Sequence, residues 1–266
     1  MLEPIPDGLV VLTFDDATGS ASDYVGPLLK DLGFGATFFI TEGLLMQTDK
    51  YWYMTWKEIR GLHDNGFEIG SHNGRHCDIT LQPTRRRHED LEQIERRCEE
   101  YGIPRPKTFA YPGSHFDREQ VDILAERGYR LARRGAIPEY SDEIEVDGKP
   151  AWRRGGPGIL YDPSVDDPLL IPTAGGSGPD WTFEEFDAAL EGARDGKIAV
   201  LVFHGVPDIH PHCSTEPDVF ERWMHHIADR GHEVIALRAL ERFVDPDLRP
   251  KDPMAAIEAR LAAAEG

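Results

Sequence analysis

The chain reads as an α/β protein, a parallel sheet wrapped by helices on the scale of a (β/α) barrel, and three observations carry that reading. Apolar runs of strand length alternate with segments of helical periodicity, the signature of βα units. The length of 266 residues, with 40% apolar content, suffices for one full core, so residues 1–266 are expected to form a single domain. The polar residues with the richest chemistry lie at or just past the ends of strand-like runs, the rim where such barrels gather their catalytic groups.

Residues 9–14 form the first apolar run, and a helix over 24–32 follows until Gly33 ends it. Residues 35–40 are a second strand. In the next helix Trp56, Ile59, Leu62 and His63 share one face, and Asn65-Gly66 stops it. Residues 67–70 are the third strand, and Leu91, Ile94, Cys98 and Tyr101 mark the inner face of a long third helix halted by Gly102 and Pro104. A short strand at 108–111, a helix from about 117 to 126 and a candidate fifth strand at 131–133 come next. From 135 to 180 the chain is rich in Pro and Gly without clear periodicity, which inside a compact domain marks a functional loop system. Thr182-Phe183-Glu184-Glu185 is a capping box opening another helix. The nearly all-apolar run 198–203 suits a strand buried on both faces. A helix at 217–230, a last strand at 233–236 and an alanine-rich helix at 254–264 complete the chain. The core is expected over about 8–243, with the C-terminal helix at about 252–264.

Composition narrows the partners. A net charge of −19 disfavours nucleic acid and anionic membranes, and equally a strongly acidic polymer unless a local basic patch reverses the field. No run approaches the roughly 18 apolar residues of a membrane-spanning helix. The start, Met1-Leu2-Glu3-Pro4-Ile5-Pro6-Asp7-Gly8, has neither the basic nor the apolar region of a secretory signal. Cys77, Cys98 and Cys213 are an odd, widely spaced set without a CxxC pair, which argues against a disulfide framework. These features favour the cytoplasm slightly and leave localisation open. The one dense basic run, Arg85-Arg86-Arg87, sits near a helix start and reads as a solvated face.

Four short motifs carry the chemistry. Asp15-Asp16 follows the first strand, and two adjacent carboxylates at a rim repel unless a cation or proton separates them. His72 and His76 follow the third strand in Ser71-His72-Asn73-Gly74-Arg75-His76; Gly74 between them favours a loop over a helical turn, and the HExxH glutamate is absent. Asp180-Trp181 comes next, and His204 follows the run 199–203. One carboxylate and two imidazoles suit the open three-ligand sphere of catalytic zinc, leaving a second carboxylate and a third histidine for proton transfer. His210-Pro211-His212-Cys213 offers further ligating atoms but no evident fourth ligand. The other histidines read as surface or packing residues.

Taken together, Thr13-Phe14-Asp15-Asp16, Ser71-His72-Asn73-Gly74-Arg75-His76, Phe109-Ala110-Tyr111-Pro112-Gly113, Asp180-Trp181 and Leu201-Val202-Phe203-His204 resemble the polysaccharide deacetylase family, carbohydrate esterase family four. The motifs stand in the family's order over about 8–243, and Met54-Thr55-Trp56-Lys57-Glu58-Ile59 leading into Gly66-Phe67-Glu68 is similar as well. The resemblance implies a distorted (β/α) barrel of seven or eight parallel strands and one divalent metal, usually zinc. It implies Asp16, His72 and His76 as ligands, Asp15 as general base and His204 as general acid with its basicity tuned by Asp180. Trp181 and Leu201 would line the pocket for the acyl methyl group, with Tyr111 also at the substrate. The implied reaction is removal of acetyl groups from a carbohydrate, as amide or ester; the alternative is a related amidohydrolase acting on a small non-polymeric amide or formyl group.

The third motif departs from the family. Where an arginine usually orients the base stands Ala110, and Gly113 replaces the usual residue after the proline, its N–H still able to serve an oxyanion. A substitute cation is expected from elsewhere on the rim. Arg133 and Arg134 end the fifth strand, and Arg153 and Arg154 lie in the long loop. Since side chains alternate along a strand, one of the first pair should point inward, and Arg134, closest to the rim, is the expected one.

Overall fold

Every apolar run expected as a strand is one, and all of them join the same sheet. The computed structural model describes residues 2–141 and 143–264; Met1, Asp142 and residues 265–266, which belong to the expected domain ends and to the 135–180 loop, lie outside the described residues. The strands are β1 (Leu9–Phe14), β2 (Thr37–Ile40), β3 (Glu68–Ser71), β4 (Thr108–Ala110), β5 (Leu131–Arg133), β6 (Glu143–Val146), β7 (Lys149–Trp152), β8 (Gly156–Pro157), β9 (Gly175–Gly176), β10 (Ala199–Phe203) and β11 (Glu233–Ile235). The main sheet runs β5-β4-β3-β2-β1-β10-β9-β8, with β11 beside the start of β1. Its pairings are parallel except β8 against β9.

The sheet curls because one segment bridges its ends. Ile171 pairs with Arg133 at the end of β5, and four residues later Gly175 pairs with Leu201 of β10. The result is a distorted (β/α) barrel. Alternation sorts its side chains into two layers. Leu9, Val11, Phe39, Ala110, Leu131 and Val200 cluster on one side, the barrel interior. Val10, Leu12, Phe38, Ile69, Leu201 and Phe203 point the other way, into the layer beneath the helices. Glu68 is buried in the interior series, where Thr37 Oγ1 (2.6 Å), Thr108 Oγ1 (2.8 Å) and the Arg238 N–H (2.8 Å) all donate to it.

The helices are α1 (Gly26–Asp31), α2 (Trp56–Asp64), α3 (Thr84–Glu100), α4 (Arg118–Glu126), α5 (Phe183–Gly192), α6 (Pro217–Asp229) and α7 (Ala255–Ala264). The expected capping box of α5 is present, and α2 has a second one built by Thr55 and Glu58. The outer layer is aromatic: Phe203 packs on Phe14 (5.6 Å between ring centres) and on Phe220 of α6 (5.2 Å). Truncating a buried phenylalanine of this kind costs about 3–5 kcal/mol.

Three expectations need correction. Tyr101 does not extend the inner face of α3; it lies just past the helix end and stacks on Trp56 at 5.6 Å. The first helix is shorter than expected, since residues 21–25 form a π-helical turn before α1. Pro27, lacking an N–H, cannot make the ordinary helical bond there. The 135–180 segment is not wholly irregular, because β6 and β7 form an antiparallel hairpin. Its turn is Asp147-Gly148, with φ 52° and 74°, the two left-handed residues a tight hairpin demands.

Candidate active site

The site begins where β1 stops. The Asp15 N–H donates to Phe203 O at 3.0 Å, carrying the β1–β10 pairing one residue further. The backbone then turns sharply, with Asp16 at φ 73° and Ala17 at φ 57°. Asn73 (φ 64°) and His76 (φ 48°) are also left-handed. Such residues cost on the order of 1 kcal/mol or more each and persist where the surroundings over-determine them. Here they bring the Asp16 carboxylate against the histidines of the loop after β3.

His72 Nδ1 lies 2.8 Å from Ala110 O, and a carbonyl can only accept, so Nδ1 carries the proton. The lone pair is therefore on Nε2, which lies 3.4 Å from Asp16 Oδ1, while His76 Nε2 lies 3.1 Å from the same oxygen. One ligand atom from each residue falls within 4.8 Å of the others. Asp16 Oδ1 is buried and accepts no hydrogen bond despite these close nitrogens. A buried carboxylate oxygen and two imidazoles converging on one point suit a divalent cation, and the Ala110 contact is the outer support that fixes a ligating histidine. Burial opposes the charge on Asp16, but His72, His76 and His204 outweigh it and hold its carboxyl well below the ordinary range. Burial would lower His76, yet its contact with Asp16 raises it. Among the described residues this is the only such cluster of three ligating side chains; the His210–Cys213 loop assembles none.

Asp15 continues the interior series of β1, and the residue that meets it belongs to the interior series of β5. Arg133 Nη2 donates to Asp15 Oδ1 in a short, fully buried ion pair. The guanidinium also lies 5.4 Å from the centre of the Phe39 ring, which walls it from below. Burial pushes Asp15 up, but Arg133, His72 and His204 together bring it below its ordinary value. Asp15 is thus held ionised and in one orientation.

His204 follows β10, and its Nδ1 lies 3.2 Å from Ser177 Oγ. Asp15, Asp16, His72, His76, Arg133 and His204 all line one cleft of about 490 Å³. Tyr111, Gly113 and Val202 line it too. Tyr111 turns its hydroxyl away to Leu169 O (2.8 Å). Gly113 is left-handed at φ 58°, in the turn after β4.

Four expected residues do not meet the site as expected. Arg134 points away from Asp15: its guanidinium donates to Glu139 at 2.6 and 2.8 Å and to Ile137 O at 2.8 Å. Leu131 and Arg133 share the inner face, so alternation turns Arg134 out. Asp180 does not reach His204 but accepts from the Arg154 N–H at 2.7 Å, while Ser177 takes the place beside the imidazole. Leu201 points into the outer layer, and its neighbour Val202 is the cleft residue. Trp181 packs among Phe186, Phe203 and Trp223 and lines a separate cavity of about 420 Å³. Arg133 and Val202 were open to the alternation argument; Ser177 carries no signal in sequence, since only the β9–β10 pairing brings it alongside His204.

The family profile described as Polysaccharide deacetylase matches residues 3–132. The chain belongs to the polysaccharide deacetylase family. The Bacillus subtilis (strain 168) protein YlxY, itself described as uncharacterized, is 27% identical over 134 residues; the match spans 50% of this chain and only 36% of that protein. Among solved structures, the chitin deacetylase of Colletotrichum lindemuthianum superposes with a TM-score of 0.58 at 18% identity, covering 94% of this chain and 93% of that one. A Bacillus anthracis protein, BA3943, described as a family-four pseudoenzyme, superposes with a TM-score of 0.56 at 14% identity, covering 89% of this chain and 66% of that one. These likenesses establish a shared fold. Among the described residues no helix is long and apolar enough to cross a membrane.

Proposed function

We propose that the chain is a single catalytic domain that removes acetyl groups from a carbohydrate, as an N-acetyl amino sugar or an O-acetyl sugar. One divalent metal, zinc by the chemistry of the donor set, would be held by Asp16, His72 and His76. The observation that carries this reading is the buried, unbonded Asp16 Oδ1 facing two imidazole nitrogens. When bound there, the ion would acidify a water and polarise the scissile carbonyl.

The chain's own residues supply the rest. Asp15, kept ionised by Arg133, takes the proton of the attacking water. It must act without losing its orientation, and the buried guanidinium provides that. The Gly113 N–H, on the cleft wall, donates to the oxyanion that develops as the carbonyl becomes tetrahedral. His204 gives a proton to the leaving amine or alkoxide. Val202 and Tyr111 present apolar surface to the acyl end of the substrate. The presence of both proton-transfer groups favours catalysis over mere sugar binding.

Acetate release from acetylated chitooligomers and from acetylated xylan tests the reading and separates amide from ester specificity. Release from at least one, abolished by exhaustive chelation and restored by zinc, is expected. Release from neither, or release indifferent to chelation, contradicts it.

A further inference from the structure

We infer that Ser177 is a positioning residue that fixes which nitrogen of His204 carries the proton when the ring is neutral. The inference rests on the reading of His204 as the proton donor to the leaving group, but its geometry stands independently.

Ser177 Oγ has two close partners, His204 Nδ1 at 3.2 Å and Cys213 O at 3.0 Å. A hydroxyl has one proton, and a carbonyl oxygen can only accept. If the proton were spent on His204, two oxygens would face each other at 3.0 Å with no hydrogen between them. Donation to Cys213 O removes that conflict and leaves Ser177 Oγ an acceptor toward the imidazole. Nδ1 must then be the protonated nitrogen, and Nε2 is left with the exchangeable site. The same logic fixes His72 through Ala110 O, so these two of the cleft's histidines are set by oxygen acceptors on neighbouring strands or loops.

The backbone holds this relay in place. The Ser177 N–H donates to Val202 O at 2.9 Å, two residues before His204, extending the β9–β10 pairing. Cys213 is brought back by the loop after β10, where Thr215 N–H donates to Gly205 O at 3.2 Å and Gly205 N–H donates to Asp208 Oδ2 at 2.8 Å. Ser177 and Cys213 are both buried, so water competes little for these bonds. A neutral hydroxyl thus stands beside the ring where the Asp180 carboxylate was expected to tune its basicity.

The test reads the tautomer directly. Nitrogen-15 NMR of histidine-labelled protein, recorded at alkaline pH once the His204 resonances no longer change with pH and the ring is neutral, should show His204 protonated on Nδ1. In Ser177→Ala that preference should weaken, with kcat falling about tenfold and KM staying within about twofold, as for one lost orienting hydrogen bond. Ser177→Thr, which keeps the hydroxyl, should recover most of the loss. A wild-type ring protonated on Nε2 overturns the inference, as does an alanine variant with unchanged tautomer and kcat. If Ser177→Ala fails to fold, the wild-type spectrum alone decides. Absence of any deacetylase activity would instead sink the functional reading and leave the tautomer question intact.

Discussion

The proposed site has two halves, one assigned to metal binding and one to proton transfer, and they differ in how their residues are brought together. In the ligand half, Asp16, His72 and His76 stand in two short motifs, and their convergence depends on sharp turns directly after β1 and β3. In the proton-transfer half, each acting residue relies on a partner far away in sequence: Asp15 on Arg133, and His204 on Ser177. The first half is local chemistry carried on strand ends. The second is made by strand register and by the inward or outward sense of each side chain. A chain can therefore keep recognisable ligands while the groups that govern its protons are re-sourced from other strands.

That difference orders the expected effects of mutation. His76→Ala should be the most severe, abolishing both metal retention and acetate release, because a three-residue set loses a ligand. Asp15→Asn should leave the metal in place yet lower turnover by roughly 10²-fold or more, as for loss of a general base. His204→Ala should behave likewise, with the larger loss on the poorer leaving group. Either variant with near-native turnover would show that its half of the site is misassigned.

The two adjacent arginines sharpen the comparison further. Arg133→Gln should lower turnover by about 10- to 10²-fold while leaving the metal bound, since Asp15 loses its orienting cation. Arg134→Gln should change turnover far less and instead lower stability by about 2 kcal/mol, because Glu139 loses its two short charged hydrogen bonds and keeps only the longer contact with Arg260 at 3.7 Å. Turnover and chemical denaturation of the two variants, measured side by side, check both. Equal turnover losses would erase the distinction between inner and outer face.

The smallest expected effect lies deeper in the barrel. Burial raises the Glu68 carboxyl above its ordinary value in spite of its three donors. A group raised on folding contributes stability below its ordinary value of 4.5, lost as pH rises through the folded one. The stability of the wild type relative to Glu68→Gln should therefore decline as pH rises above 4.5. Denaturation curves across that range check it, and a difference independent of pH would mean that Glu68 is not raised.

Much of this was legible in the sequence, for identifiable reasons. Seven apolar runs predicted seven strands of the main sheet because a strand buried on both faces is largely apolar. The candidate ligands were visible because they sit on loops just past those runs. The β6–β7 hairpin was missed: the Asp147-Gly148 dipeptide has specific turn chemistry, but weak apolar alternation around it hid the strands, and the segment reads as irregular. Arg134 was preferred by nearness to the rim, although Leu131 already marked the inner face and put Arg133 there. Asp180 and Trp181 followed a motif pattern whose local register this chain does not keep. Ser177 could not have been found, since a serine between glycines announces nothing until β9 is laid beside β10.

The division of the site is tested most directly by counting metal in purified variants. Elemental analysis should find one zinc per chain in the wild type, Asp15→Asn, His204→Ala and Arg133→Gln, and none in His76→Ala. Zinc retained in His76→Ala, or lost from the proton-transfer variants, would contradict it.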